Sequence, residues 1–597
     1  MCGILGQINI DKVTVNENSF KNALSTQKHR GPDRTSHYFN ENIALGHVRL
    51  SIIDVDGGHQ PLEIDDYVIV FNGEIYNYQL LKKNLIQDGV KFTSNSDTEV
   101  ILRGYIHHGE SFLSLLNGMF SLSIYNRKKN NIIIFRDHTG QKPLYYFIDD
   151  KRLIFSSEIS PIMDLIPNLR INPIAIDAFL HLSYIPATFS ILTNVHKIRP
   201  GSCLRLCINT GERVDTIIQH KETNQNLKDL IEQTAIADVD IGLSLSAGID
   251  SSLILSLLNQ KIKKAYNVSS HSFHSNHLLN EGAIAEWFAK SKNIDFKMID
   301  FKNLTFDEIN EHIDCFDEPY ADSSSLMARY VAMEARKDKI KVILTGDGAD
   351  ELFGGYRKHV AFLIMRYFLF LPNIIKEVLI YLIPNEKIGV ILKNSNNSKE
   401  LYWNLSNMGI NIHKNKKLMN NNRFSIMNSV LGDHKINTLS DLLNRDRSLL
   451  LEGDMMVKGD RVYMKYGIEA RPVFATPSLL NLVKKIPTNK HLSLFGKKKV
   501  LRQFAKKYLP EEILNKPKTG FDAPLSKIPI ELIKKELKKN LKNKEYIIYD
   551  DIVNSNNWLD YLNKLDTSSH KGKRDLYVVY SLFRWLLKNK KYFSNSI

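Results

Sequence analysis

The stretch Asp238–Gln260, DVDIGLSLSAGIDSSLILSLLNQ, constrains the chain more than any other. Val239, Ile241, Leu243 and Leu245 are apolar at period two, which predicts a strand running into Ser246. Ser246 to Ser252 is a turn of mostly small residues, and Leu253, Ile254, Leu257 and Leu258 then share one face of a helix. A small-residue loop at a helix N-terminus aims free backbone N–H groups and the positive dipole end at one point, which suits phosphate. No Gly-Lys-Ser/Thr follows, so it is not a Walker loop. Ser246, Ser251 and Ser252 offer hydroxyls, and Asp250 offers an anion for a metal. The plainer reading is a serine-rich turn capping a core helix.

From Asn226 the pattern alternates helix and strand, as a parallel sheet requires. Ala265–Phe273 and Lys341–Leu344 read as further buried strands, and from Ala361 onward the chain reads as mainly helical. Residues 2–205 differ. Short β-like runs occur at Ile4–Ile10, Ile43–Ile53, Tyr67–Asn72, Phe120–Tyr125, Ile132–Arg136, Leu144–Ile148 and Arg152–Ser156. Helical patterns at Asn77–Asp88 and Asp97–His108 lie among them, predicting an α+β layered domain that closes near Arg199-Pro200-Gly201. Cys203–Lys228 is polar and reads as a linker, and residues 226–597 form the second, α/β domain.

The net charge of +15 raises nucleic acid as a partner. The run Lys497–Lys499 lacks an interleaved aromatic platform, and Lys588, Lys590 and Lys591 read as a solvated tail, so no nucleic acid is expected. Cys2, Cys203, Cys207 and Cys315 form no CxxC pair, which fits a reducing cytoplasm. Met1 leads directly into CGILGQINI, so no signal peptide is expected. Tyr367–Pro384 is the most apolar stretch, but Pro372, Lys376 and Glu377 interrupt it. Buried helices around a turn are expected there, not a membrane partner.

Met1-Cys2-Gly3-Ile4 is the second informative stretch. Removal of Met1 would make Cys2 the first residue, whose α-amine, titrating near ~7.7–8, can act as base for its own thiol. Alone, such a cysteine reads more readily as an ordinary buried residue. Three clusters follow: His29–Asp33 (HRGPD), His47–Asp54 (HVRLSIID) and Phe71–Asn77 (FNGEIYN), then Ser96–Glu99 (SDTE). In order and spacing they resemble the N-terminal-nucleophile glutaminase domain of class II glutamine amidotransferases. That resemblance implies an αββα sandwich in which Cys2 attacks the glutamine side-chain amide. It implies an oxyanion hole from the Asn72 side chain and the Gly73 N–H, where one donor is worth ~3–4 kcal/mol of barrier. Arg49, beside Leu50, Ser51, Ile52 and Ile53, would hold the α-carboxylate with its planar fork. Asp97 with Glu74 would hold the α-ammonium. Phe135–Tyr146 also matches, with His138 where the family usually has Arg, and reads as a domain-packing turn.

Lys341–Tyr356, KVILTGDGADELFGGY, reads as strand, acidic Gly-rich loop and helix start. In a parallel sheet such loops gather at the carboxyl ends of strands, so Asp350 can share one Mg²⁺ with Asp250. The loop at Ser246–Ser252 resembles the pyrophosphate loop of ATP pyrophosphatases, with Ala247 where a glycine is usual. Together with Phe316–Ser324, Asp454–Arg471, Lys499–Arg502 and Asn515–Phe521, the second half resembles the synthetase domain of glutamine-hydrolysing asparagine synthetases. This implies that Ser246, Gly248, Ser251 and Ser252 hold pyrophosphate, and that Ser244, Ser275, Thr345 and Gly346 line the adenosine pocket. Lys518 would contact the activated intermediate, and Asp347 stands where the family has a catalytic Glu. Asn280, Lys516 and the segment Pro472–Ala475 also depart from the family pattern.

The implied reaction is amidation of aspartate by glutamine-derived ammonia, with ATP and Mg²⁺, releasing AMP and pyrophosphate. An enclosed interdomain route would keep ammonia from protonation. The alternative is the same chemistry on another carboxylate, such as a uronic acid of surface polysaccharide. A storage or interaction protein would not need Cys2, Arg49, Asn72, Asp97, Asp250, Asp350 and Lys518. The family also implies a homodimer.

Overall fold

A computed structural model describes residues 2–269, 281–383, 386–411, 415–494, 496–516, 523–550 and 552–593. Two six-stranded antiparallel sheets build the amino-terminal part. The first runs, edge to edge, Val195–Lys197, Tyr145–Ile148, Arg152–Ser156, Gly3–Asn9, Ile43–Arg49 and Arg34–Asn40. The second runs Arg213–Ile217, Ser202–Cys207, Asn131–Arg136, Gly118–Asn126, Tyr67–Ile75 and Leu62–Ile64.

Period-two alternation brings the sheets face to face. Ile4 and Ile8 of the first meet Val68, Val70, Ile132 and Ile134 of the second in one apolar cluster. Their neighbours point the other way. Leu5 and Val48 pack with Phe20 and Leu24 of the helix Glu17–Ser25. Ile69 and Phe71 pack with Leu85, Val100 and Ile101 of the helices Tyr78–Gln87 and Asp97–His108. Burying each such side chain contributes about 1.5–3 kcal/mol, so these layers carry most of the cohesion.

Cys203–Lys228 is not a linker throughout, because Ser202–Cys207 and Arg213–Ile217 are strands of the second sheet. Leu204 and Leu206 enter the cluster between the sheets. Arg213–Ile217 is exposed along its whole length, so its sequence carries no core signal. The strand expected over Ile43–Ile53 ends at Arg49, and Leu50–Ile53 is irregular.

The carboxyl-terminal part centres on a five-stranded parallel sheet. Its strands are β1 (Ile241–Ser244), β2 (Ile262–Ser269), β3 (Asp295–Asp300), β4 (Val342–Thr345) and β5 (Glu469–Pro472). They lie in the order β3-β2-β1-β4-β5. The winding reverses between β1 and β4, and the crevice at their carboxyl ends is where open α/β sheets bind ligands.

Farther along the chain lie α1 (Arg357–Phe368), α2 (Asn373–Leu382) and α3 (Glu386–Lys393). The turn expected within Tyr367–Pro384 is present, but the expected burial is not: α2 has no buried residue. An apolar run is buried only where a partner covers it, and Ile380 is the α2 side chain that packs back on the core. Among the described residues, no helix is long and apolar enough to cross a membrane.

Buried polar contacts bolt the two parts together. Arg30 donates to Asp460 at 2.7 and 2.9 Å, and Arg136 to Glu452 at 2.9 Å. Gln141 Nε2 donates to the Ala475 carbonyl at 2.9 Å, the packing role expected of Phe135–Tyr146. Removing one partner of a buried ion pair costs about 3–5 kcal/mol.

Candidate functional site

Cys2 stands where the antiparallel sheets meet. It precedes the strand Gly3–Asn9, and its backbone N–H donates to Asn72 Oδ1 on the facing sheet at 2.9 Å. Arg30 Nε donates to the Cys2 carbonyl at 3.0 Å. The residue is 8% exposed, and burial pushes its thiol up, so attack requires a base at hand. Asn72 Nδ2 lies 3.5 Å from the hydroxyls of Ser121 and Ser157, long contacts that leave it able to donate elsewhere. Gly73 has φ +154°, and a Cβ there would lie 2.1 Å from the Met119 carbonyl oxygen. Only glycine presents its N–H in this way.

Arg49 is clamped by carbonyls. Nη1 donates to Val55 at 2.9 Å and Nη2 to Asp54 at 2.7 Å, just past the buried residues Leu50, Ser51, Ile52 and Ile53. Ser51 N–H donates to Asp33 Oδ2 at 2.8 Å, and Lys341 Nζ donates to the same oxygen at 2.7 Å. The loop is thus tied to the residue before β4.

Asp97 and Glu74 are buried. Ile75 N–H donates to Asp97 Oδ2 at 3.2 Å, yet burial pushes this carboxyl up to about 7. Burial, reinforced by Glu469 and opposed by Arg471, lifts Glu74 well above the carboxylate range. Glu74 Oε1 lies 3.5 Å from Arg471 Nη2, and Arg471 Nε donates to Glu469 at 2.5 Å. Both Glu469 and Arg471 belong to β5, so the edge of the parallel sheet reaches this site. Glu74 Oε2 is buried without a hydrogen-bond partner, an acceptor suited to a substrate ammonium.

The crevice between β1 and β4 opens into a cavity of about 860 Å³. Ser244, Ser246, Gly248, Asp250 and Ser251 line it from β1, and Thr345, Gly346, Asp347 and Asp350 from β4. Gly248 precedes the helix Ile249–Leu258 without a side-chain cap, leaving first-turn N–H groups for an anion. Neither Ala247 nor Gly248 has a positive φ, so alanine at 247 is unstrained. The serine hydroxyls work inside the loop. Ser246 N–H donates to Ser251 Oγ at 3.0 Å, and the Ser251 and Ser252 hydroxyls donate to the Ser246 carbonyl at 3.0 and 3.5 Å.

Asp250 and Asp350 converge on one ammonium. Lys498 Nζ lies 2.6 Å from Asp250 Oδ2 and 2.7 Å from Asp350 Oδ1. A Cβ at Gly355 would lie 1.7 Å from Asp350 Oδ1 and 2.3 Å from Lys498 Cε, so this packing needs glycine. Burial pulls the Lys498 pKa down, but the two carboxylates outweigh it and hold the group charged. Two carboxylates facing one positive charge are a donor set that fits Mg²⁺. Thr345 Oγ1 donates to Asp347 Oδ2 at 2.8 Å. Lys458 is also buried; burial pulls it down, while Asp347, Asp322 and Asp454 more than offset that.

The sequence matches the Asparagine synthase family over residues 222–586 and the Glutamine amidotransferase domain over residues 1–216. The chain belongs to the asparagine synthase family. It is a glutamine-hydrolysing, ATP-dependent ligase. Glutamine-hydrolyzing asparagine synthetase 1 of Bacillus subtilis (strain 168) is 29% identical over 568 residues, 88% of this chain and 87% of that protein. Asparagine synthetase 3 of the same organism is 28% identical over 392 residues, 60% of this chain and 63% of that protein. The solved structure of glutamine phosphoribosylpyrophosphate amidotransferase from B. subtilis aligns with a TM-score of 0.29 at 14% identity, covering 58% of this chain and 82% of that chain.

Ser275, Asn280 and Lys518 lie outside the described residues. The other nominated residues gather at two places, the meeting of the antiparallel sheets and the β1–β4 crevice. Sequence reasoning missed Lys498, Lys458 and the reach of Glu469 and Arg471. Lys498 hides in a run of three lysines that reads as a solvated face. Lys458 had a usable signal: it sits between Met455-Met456-Val457 and Val462-Tyr463-Met464, a helix too apolar to leave its charges in water.

Proposed function

We propose that this family member is a glutamine-hydrolysing asparagine synthetase acting on aspartate. The observation that carries the reading is the convergence of Asp250 and Asp350 on one cation at the switch point of the parallel sheet, beside an uncapped helix start. A carboxylate does not react with ammonia at neutral pH, and adenylation gives it a good leaving group.

The glutaminase unit is residues 2–205, an N-terminal-nucleophile αββα sandwich with its last hairpin reaching Ile217; the synthetase unit is residues 226–597. In the first, the Cys2 thiolate attacks the glutamine side-chain carbonyl while the Asn72 side chain and Gly73 N–H stabilise the oxyanion. Arg49 holds the α-carboxylate, with Leu50–Ile53 shaping the pocket, and Glu74 and Asp97 hold the α-ammonium. Ammonia leaves, and water releases glutamate from the thioester. In the second, the loop Ser246–Ser252 holds the β- and γ-phosphates. Ser244, Ser275, Thr345 and Gly346 line the adenosine site. A side-chain carboxylate oxygen of aspartate attacks the α-phosphorus and pyrophosphate departs. Ammonia, carried through an enclosed route, then attacks the acyl carbon and AMP departs. Lys518 stabilises the charge of that intermediate, with Asp347 and Lys458 beside it. Mg²⁺ held by Asp250 and Asp350 would supply charge neutralisation at the phosphates.

The test is to give the purified protein ATP, Mg²⁺ and glutamine with and without aspartate. Asparagine formed in step with AMP and pyrophosphate is expected. AMP release indifferent to aspartate but stimulated by a sugar carboxylate would overturn the assignment of the acceptor.

A further inference from the structure

Half of the large apolar side chains exposed among the described residues fall between Ile364 and Ile388. They occupy the excursion formed by α1, α2 and α3. On α2, at about 100° per residue, Ile374, Ile375, Val378, Leu379, Tyr381 and Leu382 share an arc of roughly 160°. That arc faces water: Ile374 is 79% and Tyr381 89% exposed, and Phe370 in the preceding turn is 83% exposed. The helix is amphipathic in the ordinary way but turned inside out, its apolar face outward and Ile380 facing the core. A patch of this size marks a surface that something covers.

Charge decides what covers it. Residues 361–393 hold four basic side chains, Arg366, Lys376, Lys387 and Lys393, against the two acidic ones Glu377 and Glu386. The whole chain carries +15. A second copy would bring two excursions of net positive charge together, whereas an anionic lipid layer offers acyl chains to the apolar arc and headgroup charge to that net positive charge. The shape agrees. Ile380 anchors α2 to the core while the opposite, apolar arc faces water, and a lipid headgroup layer receives such an arc without a preformed groove. At ten residues α2 lies in such a layer and does not span it.

We propose that the α1–α2–α3 excursion docks this enzyme on the surface of an anionic lipid bilayer. The placement has a consequence for the catalytic cavity. Arg357, the first residue of α1, lines that cavity, and α1 runs from it to the exposed turn, about 18 Å at 1.5 Å per residue. A docked enzyme therefore holds its cavity within one helix length of the bilayer.

The test uses the full chain and the double variant Ile374→Asp/Tyr381→Asp, both side chains being exposed enough to leave the fold intact. Protein is sedimented with phosphatidylcholine vesicles with and without phosphatidylglycerol. Wild type is expected to pellet with the anionic vesicles and about tenfold less with phosphatidylcholine alone, and the variant to lose about tenfold on anionic vesicles. The variant's melting temperature and glutamine hydrolysis should match wild type. Failure of wild type to pellet above the vesicle-free control overturns the proposal, as does equal binding by a folded variant. A wild-type dimer in sedimentation velocity that the variant abolishes, with no vesicle binding, would assign the patch to a second copy instead.

Discussion

Two pairs of carboxylates sit at the two reactive places, and their surroundings treat them oppositely. Asp250 and Asp350 share the Lys498 ammonium and face a cavity. Asp97 and Glu74 are buried, and burial pushes both up, Asp97 to about 7. The first pair has the Lys498 ammonium between its members. In the second, burial raises both carboxyls even with Arg471 3.5 Å from Glu74. Under the proposed function, the same residue type would serve a polyanionic ligand that brings a metal in one place and a single substrate ammonium in the other.

The largest expected effect breaks the molecule along this line. Cys2→Ala should lower glutamine-dependent synthesis by at least about 10³-fold while supplied ammonia still supports amidation. Asp350→Asn should do the reverse, removing AMP formation and leaving glutamine hydrolysis measurable. Glutamine hydrolysis surviving in the cysteine variant would remove Cys2 from the nucleophile role. A near-normal AMP rate in the aspartate variant would remove the metal assignment.

Next in size is Gly73→Ala. Its Cβ would meet the Met119 carbonyl at 2.1 Å, so the strand must shift and misplace the N–H. Glutamine hydrolysis should fall about 10²–10³-fold with ammonia-dependent synthesis unchanged. Equal loss of both activities would mean that the substitution damages the fold.

Lys498→Met sharpens the contrast itself. With the ammonium gone, the two carboxylates lose the positive charge that lies between them, and metal-free stability should drop by about 2 kcal/mol, less than for a fully buried pair because both carboxylates are partly exposed. Mn²⁺ titrated without nucleotide should bind the variant at least about tenfold more tightly than wild type and restore its melting temperature. Unchanged melting and unchanged Mn²⁺ affinity would show that Lys498 does not occupy the metal's position.

The smallest effect reads the other pair. The Asp97 carboxyl is raised by burial, so it is protonated below about 7 and charged above. Only the charged form attracts the glutamine ammonium. The KM for glutamine should therefore fall as pH rises toward 7, by up to roughly tenfold per unit, and level off beyond it. A flat KM profile in wild type, matching that of Asp97→Asn, would contradict this.

The expected residues that the structure brings together share a property: they lie in adjacent positions. Phe71–Asn77 holds Asn72, Gly73 and Glu74 in one strand, and Ser246–Ser252 holds the whole loop before the helix Ile249–Leu258. A short apolar run between polar ends, such as Arg152–Ser156, was legible to the residue. What escaped depends on contacts between distant segments. Lys498 meets Asp250 across 248 positions, and Arg471 reaches Glu74 from the other half of the chain. Nothing in their own neighbourhoods names the distant residues they meet. The apolar α2 was misread for a related reason: composition states that a helix seeks cover and is silent on whether the chain supplies it.

The most direct test of the account follows oxygen. Aspartate labelled with ¹⁸O in its side-chain carboxylate is incubated with the protein, ATP, Mg²⁺ and ammonia, and the AMP is analysed by mass spectrometry. If the β1–β4 crevice adenylates aspartate, ammonia displaces AMP with the carboxylate oxygen still on its phosphate, and each AMP carries one ¹⁸O. Unlabelled AMP, or ADP in its place, would contradict it.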